Sequence, residues 1–226
     1  MLLSIIRQNQ KLAAKRNPAF DRNRFAKFLI YFMVAFWAAY LIFIGVMLSF
    51  AFEDIFPSME PYHIMNQGLI YLLILDFLLR FMLQPAMSQE IKPYLLMPVK
   101  KNKLVDTLLL QSGISSYNFF WFFLIIPFAL LTIIRFYGLT GILCYLCGIW
   151  LLMVMNSYWY LICKTLLNEK LLYILLPIGV YGLLAGTEFI PEGNTVSTFM
   201  MNLGEGFIEG NILAFLGVIA AILLLL

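Results

Sequence analysis

The residues best suited to chemistry are an acid and a base inside one apolar stretch. Asp76 and Arg80 lie four positions apart in LIYLLILDFLLRFML, so a helix places them on one face, where they can neutralise each other. Charged side chains inside a membrane are costly and indicate function by default. Arg80 lies near the end of the stretch, where its long side chain could reach the surface. The spacing predicts an intramembrane charge pair that orients the helix, and a proton or substrate site is the alternative.

The other reactive side chains do not combine into a known kind of site. His63 is the only histidine, and the sequence has no HExxH, GxSxG or GxxxxGK[ST] motif. Cys144 and Cys147 form a CxxC without further metal ligands, which favours small packing residues on one helix face. We expect no catalytic residue, metal or cofactor in this chain. Polar residues expected to hydrogen-bond between helices are Asn118, Asn156, Ser157 and Tyr158.

Composition indicates the class of protein that must position these residues. Hydrophobic residues make up 63% of the 226 positions and charged residues 12%, against about a quarter charged in soluble proteins. The net charge of +3 is too small to indicate nucleic acid. A membrane span needs about 20 apolar residues. The sequence predicts an all-α polytopic membrane protein with six spans, at about 28–52, 62–83, 114–134, 139–162, 171–187 and 207–226.

The two ends of the sequence carry further expectations. The first span is uncharged over 25 residues and is not followed by a small-residue cleavage site, so we expect it to be retained. The last span ends in ILLLL without the aromatic or charged residues that anchor spans at interfaces. That ending predicts that the membrane domain, residues 28–226, continues beyond Leu226.

The positions of lysine and arginine predict how the chain is oriented in the membrane, because cytoplasmic loops retain these residues. With the N-terminus inside, fourteen of the 15 basic residues lie inside and only Arg135 lies outside. Residues 1–27 form a basic cytoplasmic segment, whose first part is an amphipathic pattern ended by Pro18. This pattern predicts an interfacial helix on the lipid bilayer, with a solvated basic tail as the alternative. The basic residues of its polar face are Arg7, Lys11 and Lys15.

A basic segment between the second and third spans is the main place where a soluble partner could bind. We call residues 84–106 the coupling segment. Pro93 and Pro98 bracket the apolar step YLLM, and proline fixes the backbone angle φ. A stiff element that transmits motion and an ordinary basic loop that binds lipid headgroups are both open from the residues alone. The residues expected to contact a partner are Lys92, Pro93, Pro98, Lys100, Lys101 and Lys103.

Small residues in the fifth span predict a helix-packing face. Gly182 and Gly186 are four positions apart, which permits two helices to approach closely.

The stretch DFLLRFMLQPAMSQEIKPYLLMPVKKNKLVDTLLLQSGISSYNFF, residues 76–120, resembles the region after the second span of bacterial ABC exporter permeases of the ABC-2 kind. The shared feature is a leucine-proline-x-basic step, here LLMPVKKNKLV. The chain is similar, more closely, to an uncharacterised family of bacterial inner-membrane proteins assigned to that permease class. In such exporters the outer loop before the last span often contains short helices that dip back toward the membrane, and TVSTFMMNL, residues 195–203, is apolar enough to do so.

The resemblance implies the permease subunit of an ATP-driven exporter in the bacterial inner membrane. ATP would be bound and hydrolysed by a separate ATP-binding cassette ATPase, and a second six-span unit, as a homodimer or a second permease half, would complete the pathway. The alternative is a non-transporting membrane scaffold that recruits cytoplasmic partners. A membrane-embedded lipid-modifying enzyme is a third hypothesis, for which Asp76 and Arg80 are the only available pair.

Overall fold

The computed structural model describes residues 24–84, 115–187 and 195–226, together with 8, 9, 12, 107, 109 and 111–113. Every regular element in these residues is helical, which confirms the all-α prediction for this part of the chain. Short 3-10 helices at Ser116–Phe119 and Leu171–Ile174 precede two of the α-helices. In chain order the α-helices are α1 (Arg24–Ile55), α2 (Pro61–Gln67), α3 (Leu69–Leu83), α4 (Phe122–Thr132), α5 (Ile134–Glu169), α6 (Leu175–Gly186), α7 (Thr195–Ile208) and α8 (Ile212–Leu225).

The helices have the length and composition of two to five membrane spans. Lys27–Ile55 within α1 and the whole of α5 are each long and apolar enough to cross a membrane alone. Three further candidates are bent pairs: α2 with α3 at 50°, Gln111–Phe119 with α4 at 62°, and α7 with α8 at 115°. At the predicted fifth span, 171–187, the structure has the apolar helical stretch Leu171–Gly186, which is shorter than a span. The described residues therefore account for two to five spans, and the six spans predicted from the sequence stay a prediction.

Two of the predicted spans differ in extent from the helices that the structure describes. The third was predicted at about 114–134, and here the 3-10 helix Ser116–Phe119 precedes α4, which begins at Phe122. The last was expected to begin near Phe207, which instead lies at the end of α7. The chain turns at Gly210, whose φ of 73° suits a residue without a side chain, and the Asn211 side chain accepts a hydrogen bond from the Leu213 N–H to begin α8.

The C-terminal half of α1 packs against α4 through small residues. Leu41, Gly45 and Ser49 recur at every fourth position and form its buried stripe. A Cβ atom on Gly45 would lie 2.2 Å from the backbone oxygen of Leu124, so only glycine allows this approach. Pro127 of α4 lies beside the same contact. The N-terminal half of α1 is exposed and carries a ladder of stacked rings, Phe28, Phe32, Phe36 and Tyr40.

Helix α5 is the central element, because it contacts α3, α4, α7 and α8. It begins close to the end of α4, and it is kinked at Gly138, where φ is 63° and ψ is −162°. That region is essentially restricted to glycine. Along α5, Tyr145, Ile149 and Met153 are completely buried and form much of the core.

Helix α7 packs deeply against α2 and α5, again through glycines. A Cβ on Gly204 would lie 2.3 Å from the Asn66 side chain, and a Cβ on Gly148 would lie 2.2 Å from the Phe207 ring. The segment expected to dip back, residues 195–203, is thus part of a helix that contacts the bundle.

Charged side chains gather at the two ends of the bundle. At one end Arg135 donates a hydrogen bond to Glu53 at 3.0 Å, and His63 contacts Glu205. At the other end Lys164, near the end of α5, donates to the backbone of the last turn of α3. Which of the two ends faces the cytoplasm stays a prediction from the positions of lysine and arginine.

Candidate functional site

A buried carboxylate, Asp76 of α3, is the centre of the polar interior. Its Oδ1 accepts a hydrogen bond from the Trp121 indole N–H at 2.8 Å. Its Oδ2 accepts from Arg80 Nε at 2.7 Å and from Asn156 Nδ2 at 2.7 Å. The residue is only 3% exposed. Three donors from three segments of the chain therefore compensate the cost of burying this charge.

Arg80 lies one turn further along the same face of α3 and is almost inaccessible. It is 1% exposed, so its side chain does not reach the surface, contrary to the possibility raised from the sequence. Its Nε bonds to Asp76, but its two terminal nitrogens, Nη1 and Nη2, are buried and have no hydrogen-bond partner among the described residues. A guanidinium group has five N–H donors, of which this ion pair uses one.

The network continues from Asp76 to α6. Asn156 also donates to the backbone oxygen of Leu73 at 3.0 Å, while its own side-chain oxygen accepts from the Tyr181 hydroxyl at 2.6 Å. The Tyr181 ring packs 5.1 Å from Phe77 of α3. A single amide thus connects α3, α5 and α6 around the charge pair.

The end of α3 is attached to α5 by a lysine. Lys164 Nζ donates to the backbone oxygen of Phe81 at 2.9 Å and also bonds to the backbone oxygen of Gln84. The same Gln84 oxygen accepts from the Tyr160 hydroxyl at 2.8 Å. Lys164 lies over the Phe81 and Tyr160 rings, at 5.3 and 5.2 Å from their centroids. A cation suits this position, because the C-terminal end of a helix is partially negative.

A second, more exposed polar group lies at the opposite end of the bundle. His63 Nδ1 of α2 is 2.5 Å from Glu205 Oε1 of α7, and both side chains are about a quarter exposed. A shallow cavity of about 420 Å³ borders His63 and is lined also by Glu53 and Glu60. The described residues contain no group of three or more His, Cys, Asp or Glu side chains that could hold a metal ion.

Of the other polar residues singled out in the sequence, Ser157 and Tyr158 bond to a distant segment, whereas Asn118 bonds within its own. Ser157 Oγ lies 2.8 Å from Ser112 Oγ, and the Tyr158 hydroxyl donates to the backbone oxygen of Leu109 at 3.2 Å. Asn118 donates to the backbone oxygen of Gly113 at 2.6 Å. These contacts join the residues before α4 to one another and to α5.

Several predicted site residues are not brought together with the charge pair. A Cβ on Gly182 or Gly186 would meet nothing within 4 Å, so these glycines have no packing partner in the described part of the chain. Their close approach to a helix stays a prediction. The predicted coupling residues Lys92, Pro93, Pro98, Lys100, Lys101 and Lys103, and the predicted interfacial residues Arg7, Lys11 and Lys15, lie outside the described residues.

Sequence reasoning missed two members of the central network, Trp121 and Tyr181. Each carries one polar atom on a large apolar ring, and such atoms usually find a partner when buried. Asp76 is the only acid within its predicted span, so it was the natural acceptor for the buried indole. The sequence separation of 45 residues hid this contact.

The fold and this site define an all-helical protein whose apolar helices of membrane-spanning length enclose a polar centre. The chain belongs to DUF5687, a family of unknown function, whose model matches residues 10–226. No curated protein and no solved structure matches the chain.

Proposed function

We propose that this chain is the membrane-spanning permease subunit of an ATP-driven exporter. It lies in the bacterial inner membrane with its N-terminus in the cytoplasm, and a separate ATP-binding cassette ATPase binds its coupling segment. Two six-span units, as a homodimer or as two permease halves, complete the pathway. The membrane-length apolar helices and the resemblance in residues 76–120 support this proposal.

One observation carries the proposal: the helix that bears the buried charge pair leads directly into the coupling segment. Asp76 and Arg80 lie on α3, which ends at Leu83, and the coupling segment begins at residue 84. Broken helices around a polar centre are common in transporters, where ions and substrates bind near the middle of the membrane. A partner that moves the coupling segment would therefore act on the helix that carries the centre.

The geometry favours transport over the two rival functions. A scaffold that only recruits partners has no need of a buried ion pair, which is costly unless it is fully compensated. In a lipid-modifying enzyme Asp76 would be the natural base, but both of its oxygens already accept hydrogen bonds from protein donors. Such a carboxylate is suited to positioning Arg80.

Reversing the charge of the coupling segment tests this function. The full-length protein, tagged and purified in mild detergent from its native host, should retain an ATP-binding cassette ATPase. The triple variant Lys100→Glu, Lys101→Glu, Lys103→Glu should lose this ATPase, because the partner's acidic surface would be repelled. Lys170→Glu, on the other predicted cytoplasmic connection, is the matched control and should retain it.

The purified complex should hydrolyse ATP, which peptide mass spectrometry and an ATPase assay can establish together. Absence of any ATPase from the wild-type preparation would favour the scaffold instead. Equal retention by the triple variant and the wild type would show that the coupling segment is not the contact.

A further inference from the structure

The guanidinium group of Arg80 is the least satisfied polar group of the interior. Its Nη1 and Nη2 atoms are buried and without a hydrogen-bond partner among the described residues. Asp76 bonds to Trp121, Asn156 and the Nε atom of Arg80, but not to these two nitrogens. Buried charged donors normally find acceptors, and an exception calls for an explanation.

The shape of the unpaired group indicates the chemistry of what it would bind. Nη1 and Nη2 form a planar fork that matches the two oxygens of a carboxylate or a phosphate. Because Asp76 holds Nε at 2.7 Å, the orientation of the fork is fixed before a ligand arrives. A preorganised guanidinium group is the arrangement that recognises anionic oxygens most selectively.

The local charge also favours an anion. Arg80 belongs to the last turns of α3, and Lys164 bonds to their backbone. In the described part of the chain, Asp76 is the one acid that bonds to either side chain. Lys164 contacts backbone oxygens and aromatic rings, so its charge is not neutralised by a carboxylate there. Among the described side chains bonded at this end of α3, two cations therefore face one acid, and electrostatic attraction is strong in apolar surroundings.

Helix α6 contacts the network through Tyr181, and few of its other side chains are buried. Pro177 is its only buried residue, and several of its large apolar side chains are exposed. Among its described side chains, Tyr181 makes the hydrogen bond to another helix, at Asn156. Leu176 and Tyr181 pack against the small cluster of Phe77, Tyr160 and Cys163, so a movement of α6 would have to separate this cluster and the one hydrogen bond.

We propose that Arg80, oriented by Asp76, binds an anionic oxygen group, a carboxylate or a phosphate, inside the bundle, and that α6 closes over it through Tyr181. The ligand is either the headgroup of an acidic lipid or a soluble anion, since both present the same oxygens. The site rests on α3, α5 and α6, so it does not depend on the ATPase or on the coupling segment.

Binding is tested with the full chain purified in a neutral detergent. Thermal unfolding is followed during separate titrations with dioleoyl phosphatidylglycerol, dioleoyl phosphatidylcholine and inorganic phosphate. We expect a saturable rise in the melting temperature with phosphatidylglycerol or with inorganic phosphate, larger than any rise with phosphatidylcholine. A response to the acidic lipid alone identifies a headgroup site, and a response to phosphate alone identifies a soluble ligand.

Two arginine variants separate a specific site from general charge attraction. Arg80→Gln should weaken the apparent affinity roughly thirtyfold or more, as when a buried charge pair loses one partner. Arg135→Gln is the matched control, because Arg135 is an exposed arginine with a surface ion pair, and its affinity should equal that of the wild type. No saturable response of the wild type, or an equal response of Arg80→Gln, overturns the proposal.

Asp76→Asn provides the second test if Arg80→Gln does not fold. The amide keeps the shape of the carboxylate but leaves the Arg80 charge uncompensated. The anion that stabilises the wild type should then raise the melting temperature of this variant by more than it raises that of the wild type. A smaller or equal rise contradicts an anion site at Arg80.

Discussion

Trp121 shows how a single side chain links the start of α4 to the charge pair. Its indole N–H donates to Asp76 Oδ1 at 2.8 Å, and the residue is buried. A hydrogen bond to a charged group contributes more to stability than one between neutral groups. Removal of the donor would leave a carboxylate oxygen unpaired in the core.

Trp121→Phe should therefore lower the free energy of unfolding by about 1.5–3 kcal/mol. Trp159→Phe is the matched control, because the Trp159 indole N–H is buried without a partner among the described residues. That replacement should be neutral or slightly stabilising. Thermal unfolding in detergent measures both, and an equal loss in the two variants would indicate that ring volume, rather than the hydrogen bond, matters at Trp121.

At this scale the sequence revealed the pair but not its surroundings. The spacing of Asp76 and Arg80 is local, so helix geometry alone brings them together. Trp121, Asn156 and Tyr181 come from distant segments, and no local pattern indicates which helices will be neighbours. Arg80 is buried because of those neighbours. The local sequence does not show them, so the side chain could be expected to reach the surface.

Among the elements, α1 and α4 show how a glycine determines the position of two helices. Gly45 meets the Leu124 backbone oxygen directly, and a backbone atom cannot move aside as a side chain can. From the sequence, Gly182 and Gly186 of α6 were predicted to form such a contact instead, because their small-residue spacing is the same as that around Gly45 of α1. Spacing alone does not tell which small residues face a partner within the chain.

Gly45→Ala should push α1 away from α4 and lower the free energy of unfolding by about 1–3 kcal/mol, the usual cost of overpacking. Gly182→Ala is the control within another helix, because its Cβ would meet nothing within 4 Å. We expect it to be neutral or stabilising in the monomer, since alanine favours helix more than glycine does. Melting temperatures in detergent compare the two, and no loss of stability for Gly45→Ala would contradict the α1–α4 contact.

Gly182→Ala carries a second outcome. If it leaves the monomer stable but prevents association in a cross-linking assay, then α6 packs against a second copy of the chain, as the predicted close approach requires.

Bends within the apolar runs account for most of the differences between the predicted spans and the observed helices. Apolar runs predict where membrane-length segments lie, and the longest helices, α1 and α5, coincide with such runs, although α5 is kinked at Gly138. The bends at Gly68, before α4 and at Gly210 occur inside runs that hydropathy treats as continuous. A glycine in such a run is compatible with both a straight and a broken helix, so packing decides.

For the whole molecule, the distribution of charge predicts how the bundle lies in the membrane. Glu53 and Arg135 pair at one end, while Lys164 binds the end of α3 at the other. The positive-inside rule assigns the second end to the cytoplasm.

Labelling of introduced cysteines tests this orientation. In a background where Cys144, Cys147 and Cys163 are replaced by alanine, Ser58→Cys should react with a membrane-impermeant maleimide on intact spheroplasts. Lys170→Cys should react only after the membrane is permeabilised, because it lies on the predicted cytoplasmic side. The opposite pattern would invert the topology and place the coupling segment outside, where no ATPase could bind it.

The two bonds that α5 makes to the backbone oxygen of Gln84 have a mechanical consequence. Tyr160 and Lys164 both donate hydrogen bonds to Gln84, the residue where the coupling segment begins. A force applied beyond this residue would therefore not be absorbed by fraying of the last turn of α3. We expect such a force instead to shift the axis of α5, the longest described helix, as a whole.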